Sequence, residues 1–447
     1  MDYRDLAQEL VAKARQRGAD AADVLVAEGN EFSVTIRKGE IETLKESGSK
    51  ALGVRVFVGK RTANSYTSDF TAAALDKLIE DTVAMARVTG EDPFAGLPDE
   101  APVPPESIDL GLHDPKIDAL PTQERIERAR RAEAAAFAVS PAITNSQGAS
   151  FSSGEGHVVL ANSLGFVGAH RSSSISVSVV PVAEKDGVME RDYWYSSTRA
   201  LEDQLAPEEI GRVAAERTLR RLGAQKIATC EVPIIFDPET AGELLGHLFS
   251  AMSGYSVFRN STFLKDRLGE QVASPLLTVV DDPRRYRGLG SRPFDGEGLP
   301  TRRLVPLEKG VLKHFLCDTY SARKIGAKST GSARRGVAGG PGVGAGNLYF
   351  EAGTASPEAI LAGVDRGLYV TDLIGFGVDL VSGDFSQGAS GHWIEGGTLV
   401  HPVNEVTIAG NLKSMLMDVD AVGSDLDFRG SVAAPTLRVK KMTVSGR

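Results

Sequence analysis

Glu243 and His247 are where a chemical reading of this chain begins. They lie in Asp237-Pro-Glu-Thr-Ala-Gly242-Glu243-Leu-Leu-Gly246-His247, four residues apart and so on one face of a helix. A glutamate and a histidine at that spacing suit a zinc peptidase, which needs about three protein ligands and an open position for water. Gly242 stands where a first histidine is expected. To hold a metal, the chain would have to add a donor such as His392 or His401, nine residues apart across an expected hairpin. The same spacing also serves a plain core helix, with Leu244, Leu245, Leu248 and Met252 inward and Glu243 and His247 as an i,i+4 pair.

The elements that must position this face are legible around it. Val232, Ile234, Ile235 and Phe236 predict a strand running into the helix. Asp237 suits the N-cap and Pro238 the first helical position. Other chemistry-bearing residues are less suggestive. His314 and Cys317 are three apart in an expected strand and would point to opposite faces. The glycine run Gly336–Gly346 lacks the Lys-Ser/Thr ending of a phosphate loop and reads as a loop beside a cleft. Asp281-Asp282 and Asp295-x-Glu297 are paired carboxylates, expected to cap turns and form ion pairs. Arg302-Arg303 and Arg334-Arg335 read as surface charges.

The pattern along the chain is α+β, with an antiparallel sheet in the N-terminal part and a β-rich barrel or sandwich-like C-terminal domain. Helices are expected over residues 3–17, 72–87, 122–138, 207–222, 238–252 and 318–325. Strands are expected around Phe32–Ile36, Ile41–Leu44, Val54–Val58, 143–159 and 165–182. From Cys230 on, short strands alternate with Gly-rich corners: 276–280, 303–307, 311–316, 348–351, 368–370, 391–395, 398–400 and 405–408. Glu395-Gly-Gly397 reads as a hairpin turn. Residues 165–182 alternate strictly: Ile175, Val177 and Val179 on one face, Ser172, Ser174, Ser176 and Ser178 on the other. A serine face implies a solvated or lightly covered sheet. Pro102, Pro104 and Pro105 mark a linker or crossing segment. Three regions follow: 1–110, 111–224 and 225–447.

Bulk properties narrow the function classes. The 447 residues are 42% hydrophobic and 24% charged, values of an ordinary globular protein. A net charge of −9 without a long Lys/Arg run disfavours nucleic acid. No apolar run approaches the ~20 residues that span a bilayer. Two cysteines make no disulfide framework, and the N-terminus lacks the apolar core of a signal peptide. The expected compartment is the cytoplasm.

Several longer stretches carry a family resemblance. Ser253–Gly269, Thr278–Pro283, Pro293–Gly298, Asp318–Gly326, Gly346-Asn347-Leu-Tyr, Thr407–Lys413 and Pro435–Val439 resemble the TldD/PmbA family, also called modulators of DNA gyrase. The match spans nearly the whole chain. In the TldD branch the helix carries His-Glu-x-x-x-His, and a segment near the C-terminus carries a cysteine. Here the positions that match are Gly242, Glu243 and His247, and the C-terminal segment Asp427-Phe-Arg-Gly-Ser-Val-Ala-Ala-Pro435 has no cysteine. Together with Gly388-Ala-Ser-Gly-His-Trp-Ile-Glu395, this resembles the PmbA/TldE branch. The resemblance implies a non-catalytic subunit with no cofactor of its own, zinc in a TldD-like partner, and unfolded or leader peptides as substrates. His392, Trp393 and Asn347 are the candidate substrate-binding residues. Two alternatives stay open: a self-sufficient peptidase using His247, Glu243 and His392 or His401, and a peptide-binding homodimer. Nothing in the acidic composition supports a link to DNA gyrase.

Overall fold

A computed structural model describes residues 2–99 and 108–446. The expected linker prolines at 102, 104 and 105 lie outside the described residues. The chain opens with α1 (Tyr3–Gln16), β1 (Ala21–Arg37), β2 (Glu40–Val58), β3 (Arg61–Thr67) and α2 (Ala72–Val88). Then come α3 (Pro115–Asp118), α4 (Thr122–Val139), β4 (Ile143–Asn162), β5 (Val167–Lys185), β6 (Val188–Arg191), β7 (Trp194–Thr198) and α5 (Pro207–Arg220). Strands of these first two regions join one seven-stranded antiparallel sheet, β3-β2-β1-β4-β5-β6, with β7 also on β5. β1 pairs with β4 from Asp23–Asn162 to Ile36–Ala149.

Period-two patterning decides which face of this sheet is covered. Val24, Val26, Val54 and Val56 pack under α1 and α2. Further along the same face, Val34, Ile36, Phe151, Ile175, Val177 and Val179 pack under α4 and α5. The opposite face is covered only at one end, where Leu25, Leu160 and Phe166 meet Phe294 and Val337 of the C-terminal region. Beyond that end it carries the serines of β5, which are half-buried, as the alternation predicts.

The C-terminal region starts with β8 (Cys230–Phe236), α6 (Pro238–Ala251), α7 (Gly254–Phe258), β9 (Val279–Asp281), β10 (Leu304–Glu308), β11 (Val311–Leu312) and α8 (Thr319–Ile325). It continues with β12 (Ala333–Arg334), β13 (Gly342–Val343), β14 (Leu348–Phe350), α9 (Pro357–Ala362), β15 (Arg366–Ile374), β16 (Asp384–Glu395) and β17 (Thr398–Asn411). It ends with α10 (Leu412–Met417), β18 (Val419–Val422), β19 (Val432–Ala433) and β20 (Leu437–Ser445). Strands β17, β16, β15, β8 and β20 pair in that order, and β17 pairs back to β20, closing a five-stranded barrel. A second sheet runs β11-β10-β9-β14-β19. The hairpin joining β16 to β17 turns on Gly396 and Gly397, both at positive φ (54° and 72°), as a two-residue primed turn requires. Among the described residues no helix is long and apolar enough to cross a membrane.

Several expectations change. The segments 398–400 and 405–408 are one strand, β17, because register shifts in β16 absorb the break in alternation around Pro402. The strand expected over 311–316 is only Val311–Leu312. α7, α9 and α10 are short helices that periodicity does not reveal. Of the Arg334-Arg335 pair, Arg334 is exposed as expected and Arg335 is not. The Arg335 side chain is 1% exposed and, with Arg55, shares the buried carboxylate of Asp23. Arg55 donates to Asp23 at 2.8 and 2.5 Å. This triad and the Phe294–Phe166 contact dock the C-terminal region onto the sheet. The glycine run is part of that contact: Val337 lies so close to Gly53 that any Cβ there would collide with its carbonyl.

Candidate functional site

The β8–α6 corner is built as its residues require. Asp237 donates its N–H to the Val370 carbonyl (3.1 Å), and its carboxylate accepts from the Thr240 N–H and hydroxyl (both 2.9 Å). Pro238 occupies the first turn. Ala241, Leu244, Leu245, Leu248 and Ala251 turn into the core shared with the barrel. The outer face holds Glu239, Gly242, Glu243, Gly246 and His247. A Cβ at Gly242 or Gly246 would meet nothing within 4 Å. Packing therefore does not demand glycine there, although glycine inside a helix costs roughly 0.5–1 kcal/mol against alanine.

Glu239, Thr240 and Glu243 line a cleft of about 840 Å³, with Val180 and Val182 of β5, Arg221 beyond α5, and Asp372 of β15 among the other walls. The cleft lies where the seven-stranded sheet meets the barrel. Its charges form a network. Arg221 is 3.3 Å from Asp372 and 3.6 Å from Glu190. Arg217 is 3.3 Å from Asp192 and 3.8 Å from Asp237. Arg429 is 2.9 Å from Glu239 and lies 4.0 Å over the Trp194 ring. Glu243 is left without an arginine. Solvent reaches one side of it, yet burial first, and then the carboxylates of Asp372, Asp237 and Glu239, push its carboxyl up to about 7. Burial holds His247 below the usual imidazole range, so it is neutral at pH 7.

A zinc site does not fit these residues. Among the described residues, no three His, Cys, Asp or Glu side chains are grouped so that they could hold a metal ion. The extra donors considered for His247 fail on geometry. Trp393 pairs with His401 across β16 and β17, so His392, one residue away, points to the other face of the sheet. His392 has Nε2 at 3.1 Å from the Arg220 carbonyl, and Arg220, Arg221 and Arg217 surround it with positive charge. His401 Nδ1 is 3.2 Å from the Pro402 carbonyl. The metal set of His247, Glu243 and His392 or His401 is thereby corrected: its members do not converge. The segment 427–435, which lacks the cysteine, instead brings the Arg429 guanidinium to α6.

The other sequence candidates are structural. Asn347 is 0% exposed. It accepts from the Gly290 N–H (2.8 Å) and donates to the Asp282 carbonyl (2.6 Å) and Ser291 hydroxyl (2.8 Å), leaving nothing for a substrate. Trp393 is buried and donates to Glu395 at 3.0 Å. His314 is exposed and Cys317 buried, so they form no pair. Asp295 and Glu297 do cap turns but are buried: Asp295 accepts N–H bonds from Glu297, Leu299 and Ala333, and Glu297 from Thr319. Sequence reasoning missed the arginine–carboxylate network. Its one signal is the i,i+4 spacing of Arg217 and Arg221 at the end of α5, which puts both guanidiniums on one face.

Comparison with known proteins gives the family. Residues 229–446 match the PmbA/TldA metallopeptidase C-terminal domain, 115–222 its central domain and 22–86 its domain 1. The chain is 38% identical to Metalloprotease PmbA of Escherichia coli O157:H7, over 99% of this chain and 97% of that one. To a Metalloprotease TldD homolog of Haemophilus influenzae it is 25% identical, over 96% and 94%. A crystal structure of a candidate modulator of DNA gyrase from Bacteroides thetaiotaomicron, 29% identical, superposes over the whole of both chains with a TM-score of 0.93. TldE from Thermococcus kodakarensis shares the fold at 22% identity, with a TM-score of 0.88 over 98% of this chain and 99% of that one. The chain belongs to the PmbA/TldD metallopeptidase family, and is more similar there to the PmbA relatives than to the TldD homolog.

Proposed function

We propose that this chain is the non-catalytic, PmbA/TldE-like subunit of a two-subunit zinc metallopeptidase, working with a TldD-like subunit that holds the zinc and cuts unfolded or leader peptides. The donor deficit on α6 carries the reading. Glu243 and His247 remain, Gly242 replaces the first ligand, and Arg429 sets a fixed positive charge against Glu239. A guanidinium beside a carboxylate satisfies it without offering a lone pair, and it repels a second cation. The cleft rim supports a partner. Ile374 and Met189 line the cleft and are 58% and 64% exposed, and Phe376, two residues past Ile374, is fully exposed. Large apolar side chains held in water beside a cleft mark an interaction surface.

The test is reconstitution. The purified chain is expected to retain no stoichiometric zinc by metal analysis and to cleave no peptide alone. Mixed with a TldD-like subunit, it is expected to co-elute and to raise cleavage above that of the partner by itself. One tightly held zinc per chain with solo peptidase activity would end the proposal.

A further inference from the structure

The open face of the seven-stranded sheet is paved with hydroxyls in register. Ser33, Ser152, Ser176 and Ser197 form one row across β1, β4, β5 and β7. Thr35, Ser150, Ser178 and Tyr195 form the next. Two pairs bond to each other, Ser176–Ser197 at 2.8 Å and Thr35–Ser150 at 3.1 Å. Hydroxyls both donate and accept, and at strand spacing, with Tyr195 the one bulky member of the two rows, they can meet the backbone groups of an extended chain laid along the face.

The two ends of this face differ in charge. Along β5 it runs from His170 through Ser172, Ser174, Ser176 and Ser178 to Val180 and Val182, roughly 40 Å at about 3.3 Å per residue. Val180 and Val182 open into the cleft at α6, whose lining carries five carboxylates, Glu190, Asp192, Glu239, Glu243 and Asp372, against three arginines, Arg37, Arg191 and Arg221. At the other end His170 lies in the field of Arg199, Arg292 and Arg334. These guanidiniums donate to backbone carbonyls: Arg199 to Ser173 (2.9 Å) and Leu289 (2.7 Å), Arg292 to Ala345 (3.2 Å), Arg334 to Ala345 (2.8 Å). Carbonyls satisfy the N–H groups without cancelling charge. Buried Asp281 and Asp295 act on Arg292, and Asp281, which also accepts from the Gly346 N–H at 2.7 Å, acts on Arg334, so two carboxylates stand against three guanidiniums and Arg199 is held beside Arg334 by carbonyls. Arg292, 5% exposed, keeps a buried Nε without a partner, and so does Nδ1 of His170. Arg334 is exposed and Arg199 half-exposed, so an anion can reach the group.

We propose that this face holds an extended peptide of about a dozen residues lengthwise, with its C-terminal carboxylate at His170, Arg199 and Arg334 and its N-terminal part toward the acidic cleft of α6. The inference deepens the subunit reading and rests on it only for the occupant being a peptide. The face supplies polarity and backbone bonding, so binding depends on the carboxylate and little on sequence.

Fluorescence anisotropy on the lone full-length chain tests this with one labelled, Ala/Ser/Gly-rich 12-residue peptide, made as the free acid and as the C-terminal amide. The acid is expected to bind at least about tenfold more tightly, as a charge-assisted contact gives. Arg334→Gln is expected to bring the acid down to the amide, and Ser176→Leu to weaken both forms alike, with each variant melting as the parent does. Equal binding of acid and amide by the parent overturns the proposal whatever the variants do. So does inorganic phosphate binding the parent while acid and amide bind equally, which would make the arginine end a free-anion site. Loss of acid selectivity with reconstituted cleavage intact sinks only this inference. Acid-selective binding without partner-dependent cleavage sinks only the subunit reading.

Discussion

Gly242 is a helical glycine that packing does not require. Replacing it with alanine should stabilise the chain. A glycine inside a helix is about 0.5–1 kcal/mol less favourable than alanine, and a Cβ at 242 meets no atom within 4 Å, so no steric cost subtracts from the gain. Urea unfolding followed by circular dichroism should therefore show Gly242→Ala more stable by roughly 0.5–1 kcal/mol. Gly242→His should gain less, about 0.3 kcal/mol, because histidine is a poorer helix former. It also adds an imidazole beside Glu243 and near His247, the ligand that the proposed zinc-holding subunit would carry. Two imidazoles without a third placed donor, and with Arg429 fixed at Glu239, should still fall short of a closed zinc site. Metal analysis after gel filtration should find well below one zinc per chain. Two results would refute the reasoning. A destabilised Gly242→Ala would mean that the outer face of α6 is filled space. Stoichiometric zinc in Gly242→His alone would mean that a third donor lies within reach after all.

Three further outcomes follow from particular residues. Asp23→Asn leaves Arg55 and Arg335 facing each other in a buried site and should cost about 3–5 kcal/mol in urea unfolding, where a loss under 1 kcal/mol would contradict the triad's docking role. Glu297, buried and next to Asp295, has its carboxyl pushed up to about 7. A carboxyl raised above its unfolded value binds more protons in the native state, so its contribution falls as pH rises between about 4.5 and 7. The unfolding midpoint of Glu297→Gln should drop less than the parent's over that window, and parallel slopes would rule this out. The triad works in the opposite sense: Arg335 and Arg55 hold the Asp23 carboxyl below its unfolded value against the cost of burial, so that stabilisation is present above about pH 4 and is lost as pH falls further. Phe376→Ser, at a fully exposed position, should change stability by less than about 0.5 kcal/mol while weakening co-elution with a TldD-like subunit. Unchanged co-elution would place the interface elsewhere.

Local chemistry was readable wherever a residue's role is set by its chain neighbours. Asp237 and Pro238 start α6 and Gly396-Gly397 turns β16 into β17, because caps and primed turns depend on a few adjacent dihedrals. The alternation of β5 fixes which side chains turn to the helices, because a strand's period is two whatever it pairs with. The placement of Gly242, Glu243 and His247 on one outer face of α6 was also readable, since the faces of one helix are a matter of spacing. Tertiary structure alone decided the rest. That His392 and His401 lie on opposite faces depends on the register of β16 against β17. That Arg335 is buried beside Asp23, more than 300 residues away in the chain, depends on how the barrel docks on the sheet. The same docking sets Arg217 against Asp237 and Arg221 against Asp372, while packing within the C-terminal region brings Arg429 to Glu239. Convergence of side chains from distant segments is a property of packing, which spacing along one strand or helix does not encode.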